Sequence, residues 1–235
     1  MAIKLEGRLK AIADNVPACA AVADIGTDHA LIPIYLVSRG ICSRAIATDI
    51  RKGPIAAANR NISRYGLENA IETRMGFGLA PLSEKEAETI IIAGMGGILI
   101  SDILREGMPK VFGSANMIIQ PMYAAEYLRE WLQMKGFEIY DEDLAEEGNK
   151  LYNIFKVRTS GISKKTTEIE NILGKALIEK KHPLLKKYIQ KQIKIYNKIS
   201  GGLSKARKSS AEAECELHKT NLIIEYLIEM DKSQS

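Results

Sequence analysis

The residues best suited to chemistry in this 235-residue chain are Asp24-Ile25-Gly26-Thr27-Asp28-His29-Ala30, where a short apolar strand gives way to a helix. Open α/β sheets bind their ligands at such strand-to-helix turns. A dinucleotide fingerprint there needs Gly-x-Gly-x-x-Gly, so that the backbone can approach a pyrophosphate. Here Gly26 stands alone and Asp28 takes the place of the second glycine, where a carboxylate repels phosphate. A ligand with cationic groups and no phosphate suits Asp24 and Asp28 better. The plainer account is a solvated turn in which Thr27 or Asp28 caps the following helix.

Asp49 ends the next strand, 23 residues after Gly26, where an acid can accept from both hydroxyls of a ribose. It can equally cap the helix ahead of Pro54. Together the two acidic sites, with Ile50 beside the second, point to an adenosine ligand, either a nicotinamide dinucleotide or S-adenosylmethionine. The sulfonium and ammonium of the latter fit the lone glycine.

Gly76-Phe77-Gly78 follows the third strand, where such a fold places the adenine ring. Phe77 cannot accept from the adenine amine, so it either stacks or fills the core, and core filling is the expectation. Ala93-Gly94-Met95-Gly96-Gly97 closes the fourth strand, facing donor and acceptor. Its glycines permit close backbone approach, or merely make a tight junction. Enzymes that methylate an exocyclic adenine amine carry Asp/Asn-Pro-Pro-aromatic at this point. Its absence favours a ring nitrogen, which needs orientation and charge stabilisation rather than amine polarisation.

Four further side chains are candidates. Gln120, before Pro121, can present its amide to a base edge or simply end a buried strand. His29 can act as a general base or touch phosphate, or serve a helix N-terminus. Arg8 can clamp a carboxylate or lie in solvent. Asp28 can balance a cationic product or take a proton.

The elements that position these residues alternate β-branched runs with helical stretches, as in a parallel sheet with crossover helices. A helix is expected over Leu5 to Ala13 and strands over Ala20 to Asp24 and Arg44 to Thr48, separated by a helix from Leu31 to Ser38. A helix from Pro54 to Tyr65 then leads to strands at Ile71 to Arg74, Thr89 to Ala93 and Met117 to Gln120. After a helix from Ala124 to Lys135 come two strands joined by a Gly-Asn turn, Glu138 to Leu144 and Tyr152 to Arg158. Five βα units ending in a hairpin suit a Rossmann-like methyltransferase, whose last strand runs antiparallel, more than a dehydrogenase.

Beyond residue 160 the periodicity becomes helical. Ile169, Ile172, Leu173, Ala176 and Leu177 share one face, and Leu185, Tyr188, Ile189, Ile193, Tyr196 and Ile199 share another after a break at His182-Pro183. A turn at Gly201-Gly202 and a returning helix marked by Leu217, Ile224, Leu227 and Ile228 predict a coiled-coil hairpin. Domains are thus expected at residues 1–160 and 161–235.

Net charge divides along the chain. Residues 1–150 hold 16 Lys/Arg against 20 Asp/Glu, whereas residues 151–235 hold 17 against 9. A basic arm on a faintly acidic body suggests a polyanionic partner. A solvated helix face is the alternative for those lysines. With 46% hydrophobic residues the chain can build a core, so disorder is excluded. The uncharged run Ile90 to Ile100 is too short for a membrane helix. Charges near the N-terminus interrupt any signal peptide, so a cytoplasmic protein is expected. Cys19, Cys42 and Cys215 form no Cys-x-x-Cys pair and read as ordinary thiols, with no metal site.

Taken together, Val22 to Ala30, Ala47-Thr48-Asp49-Ile50, Ala93 to Gly97 and Gln120-Pro121 resemble the bacterial tRNA (adenine-22-N1)-methyltransferase family. Arg8-Leu9, Val16-Pro17 and the basic C-terminal helices extend the resemblance over the whole chain. It implies an α/β fold, a Rossmann-like class I methyltransferase sheet with a C-terminal helical coiled-coil hairpin. It also implies S-adenosylmethionine as methyl donor and tRNA as acceptor. By the same resemblance Asp24, Gly26 and Asp28 would surround the methionine portion, Asp49 would meet the ribose, Gly76 to Gly78 the adenine and Met95 the methyl group, while Arg8 and His29 fall in matching motifs. Arg8, Thr27, Ile50, Ala93 and Gly94 are also expected at the donor. The resemblance has the hairpin helping to hold the RNA, and the basic arm offers Lys180, Lys181, Lys186, Lys187, Lys191, Lys194 and Lys198 as its phosphate contacts; a monomer without metal is expected. The chain departs from the family at Phe77, Leu31 and Met122, where Asp, an aromatic residue and Asn are usual. Two other readings remain: a nucleotide-sensing Rossmann protein with a coiled-coil partner arm, and a methyltransferase with a non-RNA acceptor.

Overall fold

The computed structural model describes residues 3–111, 116–206 and 211–233. The chain divides into two compact units, Met1–Thr166 and Thr167–Ser235.

The first unit is a sheet flanked by helices. Its elements run α1 (Gly7–Asp14), β1 (Cys19–Ile25), α2 (Leu31–Ser38), β2 (Cys42–Asp49), α3 (Lys52–Tyr65), β3 (Ile71–Met75) and β4 (Thr89–Met95). They continue with α4 (Gly97–Glu106), α5 (Met108–Val111), β5 (Asn116–Pro121), α6 (Ala125–Met134), β6 (Phe137–Glu147) and β7 (Lys150–Thr159). The strand order is β3-β2-β1-β4-β5-β7-β6. β1 to β5 are parallel, while β7 lies antiparallel between β5 and β6. The order reverses at β1, whose two neighbours, β2 and β4, leave in opposite directions. That creates a crevice beyond the carboxyl ends of β1 and β4.

The apolar residues segregate because the central strands are covered on both faces. Val22, Ile91 and Ile118 point to one layer with Ile12, Ile34 and Leu36. Ala23, Ile90, Ile92 and Ile119 point to the other with Ile100, Leu104 and Leu132. Truncating a fully buried member such as Leu36 to Ala should cost about 2–5 kcal/mol. A buried ion pair joins α6 to the hairpin, with Arg129 Nε 2.6 Å from Glu142 Oε1 and Arg129 Nη2 donating to Asn153 at 2.9 Å.

Several expectations need correction. The first helix starts at Gly7, not Leu5, because Glu6 before it is extended, with φ −133° and ψ 165°. The strands outrun their expected ends because ladder pairing continues through residues such as Cys19 and Cys42. Those two cysteines, 23 residues apart in sequence, are register partners whose sulfurs lie 3.1 Å apart. Burial pushes the Cys42 thiol up to about 12, so it stays protonated at neutral pH.

The second unit contains α7 (Glu168–Leu173), α8 (Lys175–Glu179), α9 (Leu185–Ala206) and α10 (Ala211–Ser233). Thr167 and Glu170 form a reciprocal capping box at the start of α7. Leu185, Tyr188 and Ile189 are buried, and Tyr188 donates its hydroxyl to the Ile172 carbonyl at 3.0 Å. The expected Gly201-Gly202 turn is instead helical, continuing α9 to Ala206. Two glycines cost about 2 kcal/mol in a helix, which contact with α10 offsets, including Ser200 Oγ to Asn221 Oδ1 at 2.8 Å. Ile195, Ile199 and Ile228 remain exposed, so the apolar seam thins away from the Leu185 end.

Candidate functional site

At the crevice, the β1–α2 turn is shaped by backbone demands before any ligand is considered. Gly26 has φ +74°, and a Cβ there would strike the Met95 methyl group. Thr27 donates its N–H to the Thr48 carbonyl at 2.7 Å, and its hydroxyl accepts from Ala30 N–H at 3.1 Å. Ala30 itself is left-handed, with φ +54°. Ala124, before α6, is likewise left-handed at φ +56°, so strained non-glycine residues stand after both β1 and β5.

Two clefts adjoin at this turn, sharing Gly26, Arg51, Ala93 and Gly94. The first, about 240 Å³, runs between the ends of β2, β3 and β4 and takes in Asp49, Ile50, Gly76, Phe77, Gly78 and Met95. The second, about 340 Å³, lies over the β1–α2 turn and takes in Arg8, Asp24, Thr27, Asp28 and His29. Every residue expected at the donor therefore lines one cleft or the other. Gln120 does not.

Asp24 is buried, and burial pushes its carboxyl up to about 6 despite a hydrogen bond with Thr27. Asp49 is also buried. Its Oδ1 accepts from Arg51 N–H at 2.7 Å and from Arg51 Nε at 3.3 Å. Among the described residues no protein donor is recorded for its Oδ2. Asp49 is not the N-cap of α3; that position is Arg51, whose side chain makes no capping hydrogen bond. Gly76 donates its N–H to the Asp49 carbonyl at 3.1 Å, which ties the β3 loop to the same corner.

Phe77 is 38% exposed on the cleft wall, so the expectation that it fills the core is wrong. Asp28 and His29 are exposed side chains 3.4 Å apart at the mouth of the second cleft. Arg8 is not a solvated residue. Its Nη1 donates to Gln120 Oε1 at 2.7 Å, and its guanidinium lies 5.7 Å over the Tyr152 ring. Gln120 is fully buried and cannot offer its amide to a base edge, because the end of β5 turns it inward beneath Gly94.

Arg51, Leu99 and Ile103 also line the first cleft and were not among the expected residues. Leu99 and Ile103 are one helical turn apart on α4, a spacing visible behind Gly96-Gly97 once α4 is recognised. Arg51 carries no such signal beyond its place two residues after Asp49. Among the described residues no cluster of three His, Cys, Asp or Glu side chains could hold a metal ion.

A parallel sheet whose last strand in sequence, β7, runs antiparallel, and a crevice at its switch point lined by Asp24, Asp28 and Asp49 with Arg8 and Arg51, define a Rossmann-like methyltransferase domain. Residues 5–155 match the family described as "Methyltransferase domain". The tRNA (adenine(22)-N(1))-methyltransferase of Bacillus subtilis is 41% identical over 152 residues. That match covers 65% of this chain and spans only 64% of the curated relative's length. The crystal structure of the B. subtilis M1A22 tRNA methyltransferase TrmK superposes with a TM-score of 0.85 at 32% identity, covering 96% of this chain and 98% of that one. A Streptococcus pneumoniae protein solved with S-adenosyl-L-methionine superposes with a TM-score of 0.80 at 32% identity, covering 94% of this chain and 100% of that one. The chain belongs to the tRNA (adenine-22-N1)-methyltransferase family.

Proposed function

We propose that this protein transfers the methyl group of S-adenosylmethionine to N1 of adenine 22 in tRNA. The observation that carries the reading is the crevice itself. It brings buried Asp24 and Asp49 to the clefts that meet at Gly26, the lone glycine of the β1–α2 turn, a lining suited to a cationic nucleoside without phosphate. In the transfer, the lone pair of N1 forms the new N–C bond as the S–C bond breaks. The positive charge passes to the adenine ring and a neutral thioether remains.

The residues divide the work by chemistry. Asp49 has Oδ2 to offer a ribose hydroxyl, and Phe77 offers an aromatic face to adenine in place of an acid. Asp24 meets the ammonium of the methionine portion and Arg8 its carboxylate. Gly26 and Met95 bound the space at the methyl end. Methylation of a ring nitrogen releases no proton from that atom, so Asp28 serves by balancing charge at the mouth of the cleft. His29 beside it supplies a further polar group for the acceptor.

For the acceptor, the second unit supplies cations. Lys180, Lys181, Lys187, Lys194 and Lys198 are exposed, while Lys186 and Lys191 are half-buried. Burial lowers the pKa of Lys191. This set would contact tRNA phosphates. No helix among the described residues is long and apolar enough to cross a membrane. A monomer acting in the cytoplasm, where tRNA is matured, completes the proposal.

Incubation with labelled S-adenosylmethionine and unmodified tRNA tests it. Label should enter the RNA. Donor binding without transfer would favour the nucleotide-sensing alternative, and label in protein alone would favour a non-RNA acceptor.

A further inference from the structure

Gln120 sits at the end of β5 with no exposed surface. Its Oε1 accepts from Arg8 Nη1 at 2.7 Å and from Gly94 N–H at 3.2 Å. Its Nε2 donates to the Pro121 carbonyl at 2.7 Å and faces the Met122 sulfur at 3.8 Å. The amide has one sensible orientation, since the opposite one would turn an NH2 group toward two donors. It therefore joins α1, β4 and β5 at one buried point.

The choice of a neutral amide matters. A carboxylate at this position would form an ion pair with Arg8 and satisfy its charge internally. The amide fixes one guanidinium nitrogen and leaves Arg8 its full charge. Arg8 lines the same cleft as Asp24, Thr27 and Gly94, and its guanidinium has further N–H donors beyond the one Gln120 holds.

We propose that Gln120 is a positioning residue that aims Arg8 at the carboxylate of the donor's methionine portion. The inference rests on the donor reading above. It predicts that Gln120 matters for ligands that carry the amino-acid tail and not for those that lack it. S-Adenosylhomocysteine and 5′-methylthioadenosine differ in that part.

Binding of both compounds should be measured for the wild type, Gln120→Leu, Gln120→Glu, Arg8→Ala and the Arg8→Ala/Gln120→Leu double variant. Gln120→Leu should weaken S-adenosylhomocysteine by about tenfold or more while 5′-methylthioadenosine changes by less than about twofold. Retained 5′-methylthioadenosine binding also shows that the cleft is folded. Gln120→Glu keeps both acceptor contacts yet neutralises Arg8, so it should show the same selective loss. In the Arg8→Ala background the Leu substitution should add almost nothing. Equal loss of both ligands, no loss of either, or additive losses in the double variant would overturn the proposal. A wild type that binds neither compound would overturn the donor reading itself, a result distinct from all of these.

Discussion

One end of the crevice, around Arg8, Asp24 and Thr27, is polar and tied by hydrogen bonds, whereas the other, around Ile50, Phe77 and Leu99, is apolar and open. At the first end Arg8 is held by Gln120, and Thr27 is pinned through both its backbone and its hydroxyl. At the second, Ile50 is 60% exposed and Asp49 is the sole acid among the lining residues. Under the proposed function the two ends would have separate tasks. The polar end would recognise charge with preset groups, and the apolar end would supply contact area and shape. Ligands that keep or lack the charged tail should therefore respond to different substitutions.

The largest effect should come where the two ends meet. Gly26→Ala forces a Cβ into a left-handed backbone and against Met95, and donor binding measured calorimetrically should fall by at least about 100-fold. Binding within tenfold of the wild type would mean that the crevice is far more plastic than its geometry implies. Next, Arg8→Ala should weaken S-adenosylhomocysteine by about 10–100-fold, the worth of a charge-assisted bond, and leave 5′-methylthioadenosine unchanged.

The polar end also carries a pH signature. Burial pushes the Asp24 carboxyl up to about 6. If it pairs with the ligand ammonium, only about one tenth is ionised at pH 5, and donor affinity should be about tenfold lower there than at pH 7.5. The effect on folding has the opposite sign. The carboxyl is raised above its unfolded value of 3.8, so its stabilising contribution is fully present below that pH. It falls by roughly 2 kcal/mol as the pH rises from about 4 to about 6. Asp24→Asn should flatten both profiles, and an affinity profile unchanged in that variant would remove Asp24 from the ammonium site.

At the apolar end, Phe77→Ala should cost about 1 kcal/mol, roughly fivefold, for both ligands alike, because ring contact does not depend on the tail. Loss confined to the tailed ligand would erase the distinction between the two ends. The smallest change is expected at Ala30→Gly. Relief of its left-handed strain should stabilise the protein by up to about 1 kcal/mol in thermal unfolding, with donor affinity intact.

Legibility in the sequence followed the same division. Asp24-Ile25-Gly26 and Asp49 were readable because a strand end, a glycine and an acid at set positions leave few geometries open. The antiparallel hairpin was readable from two strand patterns with no helix between them. Arg8 and Gln120 stand 112 residues apart, and no local pattern announces that they touch. Phe77 was misplaced because apolarity alone does not distinguish a cleft wall from a core. Gly201-Gly202 misled for a related reason, since tertiary contact with α10 outweighs two poor helix formers.

The central claim is acceptor identity, and a pair of unmodified tRNA transcripts tests it most directly. One carries adenine at position 22 and the other guanine, with the remaining sequence and fold unchanged. Labelled methyl groups should enter the first transcript as N1-methyladenine and be absent from the second. Equal incorporation into both would contradict the assignment.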